Sequence, residues 1–237
     1  MIEIKNVTKK YGKKVALDNI SLIIQPGDIF AFVGHNGAGK TTCIKCMTDI
    51  IDFDNGDILY NGISIQKEPL KCKQDIAYIP DNPDLYEFIK GIDYLNLIAD
   101  VFEIKESRLE RINKYATEFD LKEALGNPIS SYSHGMKQKL AIIGALIHEP
   151  KYIILDEPFV GLDPVATKKL KDIMKDLTKK GTCIFFSTHI LEVAEKLCNK
   201  LAIIKDGKLV KTGLMHEVLK DKSLEDIFME LENEKIS

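Results

Sequence analysis

The stretch Ile29-Phe30-Ala31-Phe32-Val33-Gly34-His35-Asn36-Gly37-Ala38-Gly39-Lys40-Thr41-Thr42 decides how this chain folds. Its first five residues are apolar and read as a buried strand; the next eight fit G-x-x-x-x-G-K-[ST] and open a helix. That setting is what a phosphate-binding loop requires. Glycine lets the backbone wrap an anion where a side chain would fill the space. The amides of the loop and of the helix start then point inward at the phosphates. Lys40 brings a full positive charge to the terminal phosphates, and the Thr41 hydroxyl suits Mg²⁺. With glycine near 7% of residues, a chance match in such a chain has odds of roughly one in a hundred.

A second apolar run, Ile153-Ile154-Leu155, ends in Asp156 and Glu157. Carboxylates at that strand end place Asp156 near the metal and Glu157 near an attacking water. Alone, the pair reads as an acidic turn; beside a phosphate loop it describes a nucleoside triphosphatase.

Working outward, residues 2–7, 21–24 and 29–33 read as strands, with Pro26-Gly27-Asp28 as a turn before the last. Residues 57–60 and 63–65 flank Asn61-Gly62, a type I′ hairpin signal. Residues 76–79 form a strand that runs into Pro80 and Pro83. From about 91 to 147 the periodicity is helical. Tyr94, Leu95, Ile98, Val101 and Phe102 share one face, Leu109, Ile112 and Ala116 a second, and Leu140, Ile143 and Ile147 a third. The last third alternates strands at 152–155, 183–187 and 201–204 with helices. The helix after the first of these is opened by Asp163 as cap and Pro164 at its first position, with Ala166, Leu170, Ile173 and Leu177 as its apolar stripe. Apolar strands separated by amphipathic helices imply an α/β fold with a parallel sheet covered on both faces. We expect one domain: a core of 1–84 and 150–237 and a helical insert at 85–149.

Composition excludes several classes. The 237 residues are 45% hydrophobic and 29% charged with net charge −3, which argues against disorder, collagen-like repeats and coiled coil. The longest apolar stretch, near 140–147, is far short of the ~20 residues of a membrane span. No basic segment followed by an apolar one opens the chain, so the expectation is a cytoplasmic protein. Near-neutral charge removes the footprint of a general nucleic-acid binder. Cys43 and Cys46 form a C-x-x-C without a second pair at zinc spacing; with Cys72, Cys183 and Cys198 they read as small core residues.

Further motifs follow in order along the chain. They are Tyr11 in Tyr-Gly-Lys-Lys-Val-Ala-Leu, the run Tyr132-Ser133-His134-Gly135-Met136-Lys137-Gln138, Val160-Gly161-Leu162-Asp163, and Ser187-Thr188-His189. Together these resemble the ATPase subunit of ATP-binding cassette (ABC) transporters, similar to bacterial export-type subunits for drugs and bacteriocins. The resemblance implies a P-loop NTPase (RecA-like) core with a mainly parallel sheet, an N-terminal antiparallel β subdomain and an inserted α-helical subdomain. It implies ATP and Mg²⁺ as ligands. Adenine would stack on Tyr11, and the phosphates would lie along Gly34, His35, Asn36, Gly37, Ala38, Gly39, Lys40, Thr41 and Thr42. Mg²⁺ would sit at Thr41, Asp156 and Asp81. Glu157 and His189 join Lys40 as catalytic residues. Ser133 and Gly135 would reach the γ-phosphate of a second subunit, identical or a paralogue. The imidazoles of His35, His148 and His216 match no motif.

Taking the proton from water before attack would cost Glu157 roughly 15 kcal/mol, from pKa values of about 15.7 and 4.3. Glu157 therefore orients the water and accepts the proton as the transition state develops, while His189 holds water and γ-phosphate in register. Two positions depart from the family pattern. Asp81 stands where many relatives have glutamine, which would make closure depend on bound metal; and His134 and Met136 replace a glycine and a glutamine in the signature turn.

The resemblance also implies a separate transmembrane permease subunit, with Leu85, Tyr86, Phe88 and Ile89 as a docking segment on the inner face of the membrane. Those four serve equally well to close the insert's own core. The tail opens with a capping box at Ser223. The alternative is a soluble ABC ATPase acting on DNA, ribosomes or cluster assembly, but no long coiled coil or second cassette is present. A GTPase would need Asn-Lys-x-Asp, and Asn199-Lys200-Leu201-Ala202 lacks the aspartate; a small-molecule kinase brings several arginines, and this chain has only Arg108 and Arg111.

Overall fold

A computed structural model describes residues 1–233; residues 234–237 of the expected core segment lie outside them. The chain runs β1 (Ile2–Tyr11), β2 (Lys14–Ile24), β3 (Ile29–Val33), α1 (Lys40–Met47), β4 (Asn55–Tyr60), β5 (Ile63–Ser64), α2 (Pro69–Lys73) and β6 (Ile76–Ile79). It continues through α3 (Gly91–Val101), α4 (Arg108–Glu118) and α5 (His134–Leu146). The remainder is β7 (Tyr152–Asp156), α6 (Pro164–Lys179), β8 (Cys183–Thr188), α7 (Leu191–Leu197), β9 (Lys200–Lys205), β10 (Lys208–Leu214), α8 (Met215–Leu219) and α9 (Leu224–Asn233).

Two sheets result. A four-stranded antiparallel sheet has the order β2-β1-β4-β5, and a six-stranded sheet the order β10-β9-β3-β8-β7-β6. In the larger sheet β3 lies parallel between β8 and β9, β7 joins β8, and β6 joins β7; only β10 is antiparallel. Side-chain alternation gives the sheet two faces. Phe30 and Phe32 pack with α1 and the antiparallel sheet, and Phe185 lies against both rings. Ala31, Val33, Ile153 and Leu155 face the other way, into a core closed by α3 to α7.

Local signals were obeyed where they were self-contained. Asn61 and Gly62 take φ of 50° and 83°, as a type I′ turn demands. Asp163 caps α6, accepting from the Ala166 amide at 2.8 Å, and Ser223 and Asp226 exchange capping bonds at 3.1 and 3.3 Å. All five cysteines are buried and free.

Other expectations need correction. The first two strands extend well past 2–7 and 21–24, because the hairpin stays paired through bulges between Ile4 and Lys10. On α6 the deepest residues are Ala166, Leu170 and Met174, while Ile173 and Leu177 are only partly buried. Val101 and Leu109, expected on the apolar faces of the first and second helices of the insert, are each 67% exposed, since they sit at the solvent-facing ends of α3 and α4. The hairpin of β9 and β10 was not anticipated, although Asp206-Gly207 carries the same turn signal and takes φ of 47° and 78°.

Candidate functional site

Four parallel strands deliver their carboxyl ends side by side: Val33 pairs with Thr188, Asp156 with Ser187, and Ile79 with Leu155. The residues that follow them, from Gly34, Asp156, His189 and Asp81, therefore share one edge, where ligands bind in such sheets.

The loop after β3 is held from below. A Cβ at Gly34 would lie 2.5 Å from the Ile204 carbonyl oxygen, and one at Gly39 would lie 2.6 Å from that of Ala16. Gly39 also has φ of 115°, so a side chain there is excluded twice. The Gly207 amide donates to the Ala38 carbonyl at 2.9 Å. Lys40 is buried, donating to the carbonyls of Gly34 at 2.7 Å and His35 at 3.2 Å. Its ammonium lies 3.8 Å from Glu157. Burial lowers the Lys40 pKa, and the charges of Glu157 and Asp156 oppose that shift.

Opposite the loop stand the carboxylates. Asp156 is 1% exposed; one of its oxygens accepts from the Ser187 hydroxyl and the other, Oδ2, has no partner. A buried carboxylate oxygen without a donor is costly, and a cation between it and Thr41, which lines the same cleft, would satisfy it: these oxygen donors fit a hard divalent metal. Glu157 sits at φ of 47°, a strained conformation for a residue with a Cβ. Its amide donates to Ser187 Oγ at 3.1 Å, and its carboxylate meets Nδ1 of His189 at 3.0 Å and the His189 amide at 3.3 Å. An ionised carboxylate only accepts, so Nδ1 carries the proton and Nε2 of His189 stays available.

Between them lies a cleft of about 310 Å³. Asn36, Gly37, Gly39, Lys40, Thr41 and Thr42 form one wall, Asp81, Asp156 and Glu157 another, with Tyr11 at the rim. Tyr11 is half exposed, and the Lys9 ammonium lies 5.2 Å from its ring centre. Lys14 and Ala16 also line the cleft, which sequence reading did not single out; the two lysines after Tyr11-Gly12 were the available signal. Gly34 and Ala38 are buried beneath the loop, and His35 turns away, its Nε2 3.8 Å from Asp206.

Ser133 and Gly135 are not among the residues lining this cleft. Ser133 caps α5, accepting from the Met136 amide at 3.3 Å. The first turn of that helix instead packs on the loop after Glu157, where a Cβ at Gly135 would lie 2.9 Å from the Gly161 carbonyl oxygen. Lys139 of α5 pairs with Asp163 at 2.7 Å, which lowers the Asp163 pKa, and Lys137 pairs with Glu87. Of the expected docking segment, Leu85 is buried and Ile89 partly so, whereas Tyr86 is 56% and Phe88 83% exposed.

Residues 17–160 match the ABC transporter family. The chain is 34% identical over 240 residues to the ABC-type transporter ATP-binding protein EcsA of Bacillus subtilis, covering 99% of this chain and 97% of that one. It is 34% identical to the lantibiotic transport ATP-binding protein SrtF of Streptococcus pyogenes, over 96% of each. Among solved structures, an ATP-binding subunit of an ABC transporter superposes with a TM-score of 0.94 at 33% identity, over 98% of this chain and 100% of that structure. A dimeric bacterial ABC transporter cassette shares the fold at a TM-score of 0.82, over 91% of this chain and 99% of that one, with 24% identity.

Proposed function

Since the chain belongs to the ABC transporter family of ATP-binding proteins, whose ATP-binding domains are ATPases, we propose that two such subunits, identical or paralogous, close face to face around Mg-ATP and drive export through a separate membrane subunit. The observation that carries this reading is the half-built site. The cleft holds the loop and the carboxylates, while Ser133, Gly135 and the start of α5 lie outside it. A γ-phosphate in the cleft would be open to water on one side unless a second chain brought its own signature turn. A helix N-terminus and a serine hydroxyl suit that role.

Within the cleft, Tyr11 stacks the base, and Lys40 with the loop amides holds the phosphates. Thr41, Asp156 and Asp81 would hold Mg²⁺, which would supply neutralising charge to the phosphate oxygens. Glu157 orients the attacking water and takes its proton as the bond forms, and His189, fixed by that carboxylate, keeps water and γ-phosphate aligned.

Among the described residues no helix is long and apolar enough to cross a membrane. The relatives' names as ATP-binding proteins of transporters support a separate membrane chain, on whose inner-face surface this subunit would dock. Exposed Tyr86 and Phe88 supply an apolar contact beside the Asp81 loop. Similarity to SrtF over 96% of each chain supports the export reading, since its name records lantibiotic transport. Light scattering of Glu157→Gln tests the core of the reading. MgATP should convert monomer to dimer, and a protein that stays monomeric with saturating nucleotide, alone and with its cognate permease, refutes it.

A further inference from the structure

The turn that carries Ser133 and the loop that leaves Glu157 touch within one chain, and the contact is made by a residue that departs from the family pattern. A Cβ built on Gly161 would lie 2.5 Å from Cδ2 and 2.7 Å from Nε2 of His134. The imidazole thus occupies the space over a glycine whose φ is 80°. Beside it, the Gly161 carbonyl leaves no room for a side chain at Gly135. One turn further along α5, Lys139 holds Asp163, the residue that caps α6. The backbone contact at Gly135 and the ion pair flank the imidazole. The ion pair is open to solvent on the Asp163 side, where screening weakens it.

Resting on the face-to-face reading, we propose that His134 is a positioning residue: its imidazole wedges the Ser133–Gly135 turn against Gly161, so the turn lent to the neighbour's nucleotide moves with the loop carrying the chain's own Glu157. A glycine at this position would leave the gap over Gly161 empty and the turn held only by the Gly135 contact and the partly exposed Lys139–Asp163 pair. Here a side chain fills it, and hydrolysis in one site is tied to the seating of phosphate in the other. The imidazole does no chemistry; it acts through the turn.

A double-mutant cycle tests the wedge. Phosphate release against MgATP is measured for the full chain and for His134→Ala, Gly161→Ala and the double variant. His134→Ala empties the space over Gly161, and the Cβ of Gly161→Ala would collide with the imidazole and push it away. Both changes disturb the same contact, so each should lower kcat by about five- to tenfold with KM within about twofold, the signature of an interaction felt in the transition state. The double variant should lose no more than the worse single. A double loss equal to the product of the single losses overturns the proposal. His134→Gln, which restores reach without a ring, should recover at least half of the lost kcat. Parent-like kcat in His134→Ala also overturns the proposal, whether or not Gly161→Ala folds. The MgATP-driven dimer of Glu157→Gln separates the two claims. If it does not form, the face-to-face reading falls. If it forms while the cycle is multiplicative, only the wedge falls.

Discussion

Glu157 is held twice by His189: Oε1 lies 3.0 Å from Nδ1 and Oε2 accepts the backbone amide at 3.3 Å. The two residues come from the ends of adjacent strands, and Ser187 between them bonds both the Glu157 amide and the Asp156 carboxylate. The carboxylate that faces the phosphate loop is therefore aimed by the sheet itself. Positive φ at Glu157 belongs to the same arrangement, since it turns the side chain back over the strand end.

Glu157→Gln keeps the shape and, on the proposed role of Glu157, loses the proton acceptor. Hydrolysis should fall by about a hundredfold or more, as general-base losses do, while ATP binding measured by calorimetry stays within a few-fold of the parent.

Asp81 adds a negative charge to the cleft proposed to take phosphate. At about 6 Å and an effective dielectric near 20, that repulsion is about 3 kcal/mol, and an intervening divalent cation reverses its sign. Asp81→Asn should bind ATP more tightly in EDTA and need more Mg²⁺ for half-maximal hydrolysis. An unchanged Mg²⁺ titration counts against metal ligation by Asp81.

Gly39→Ala meets the Ala16 carbonyl at 2.6 Å and a φ of 115°. The clash is with backbone, so the loop must shift. Thermal melting should report about 2–4 kcal/mol of lost stability, and nucleotide should no longer raise the melting temperature.

His148 lies stacked on Phe102, ring centres 3.8 Å apart, and burial lowers its pKa to about 4. The unfolded chain, with a histidine pKa of about 6.5, binds the proton first, so stability is complete above pH 6.5 and is lost as pH falls towards 4. The span corresponds to about 3 kcal/mol. Melting curves of His148→Phe should show a weaker pH dependence across that window than the parent.

The parts of the fold and site legible from sequence were those written in consecutive residues. The loop at Gly34–Thr41, the Asp156-Glu157 strand end, the Asp163 cap and the Asn61-Gly62 turn each carry their own conformational instructions. What escaped depended on a distant neighbour. Lys14 enters the cleft only because β2 folds back along β1. His134 gains its contact only because α5 lands on the 161–163 loop. Val101 and Leu109 fit their helical stripes, yet among the described residues both stay 67% exposed at those helix ends. Periodicity reports which face is apolar and not how far the covering neighbour extends.

The place of β3 has a consequence for how the protein is born. That strand, which ends in the phosphate loop, is completed on both sides by β8 and β9, and the loop rests on Ile204 and Gly207. All of these emerge from the ribosome more than a hundred residues later. A nascent chain carries its nucleotide motif early but cannot shape it until β9 and Gly207 have been made, so an arrested polypeptide stopping before β9 would be blind to ATP.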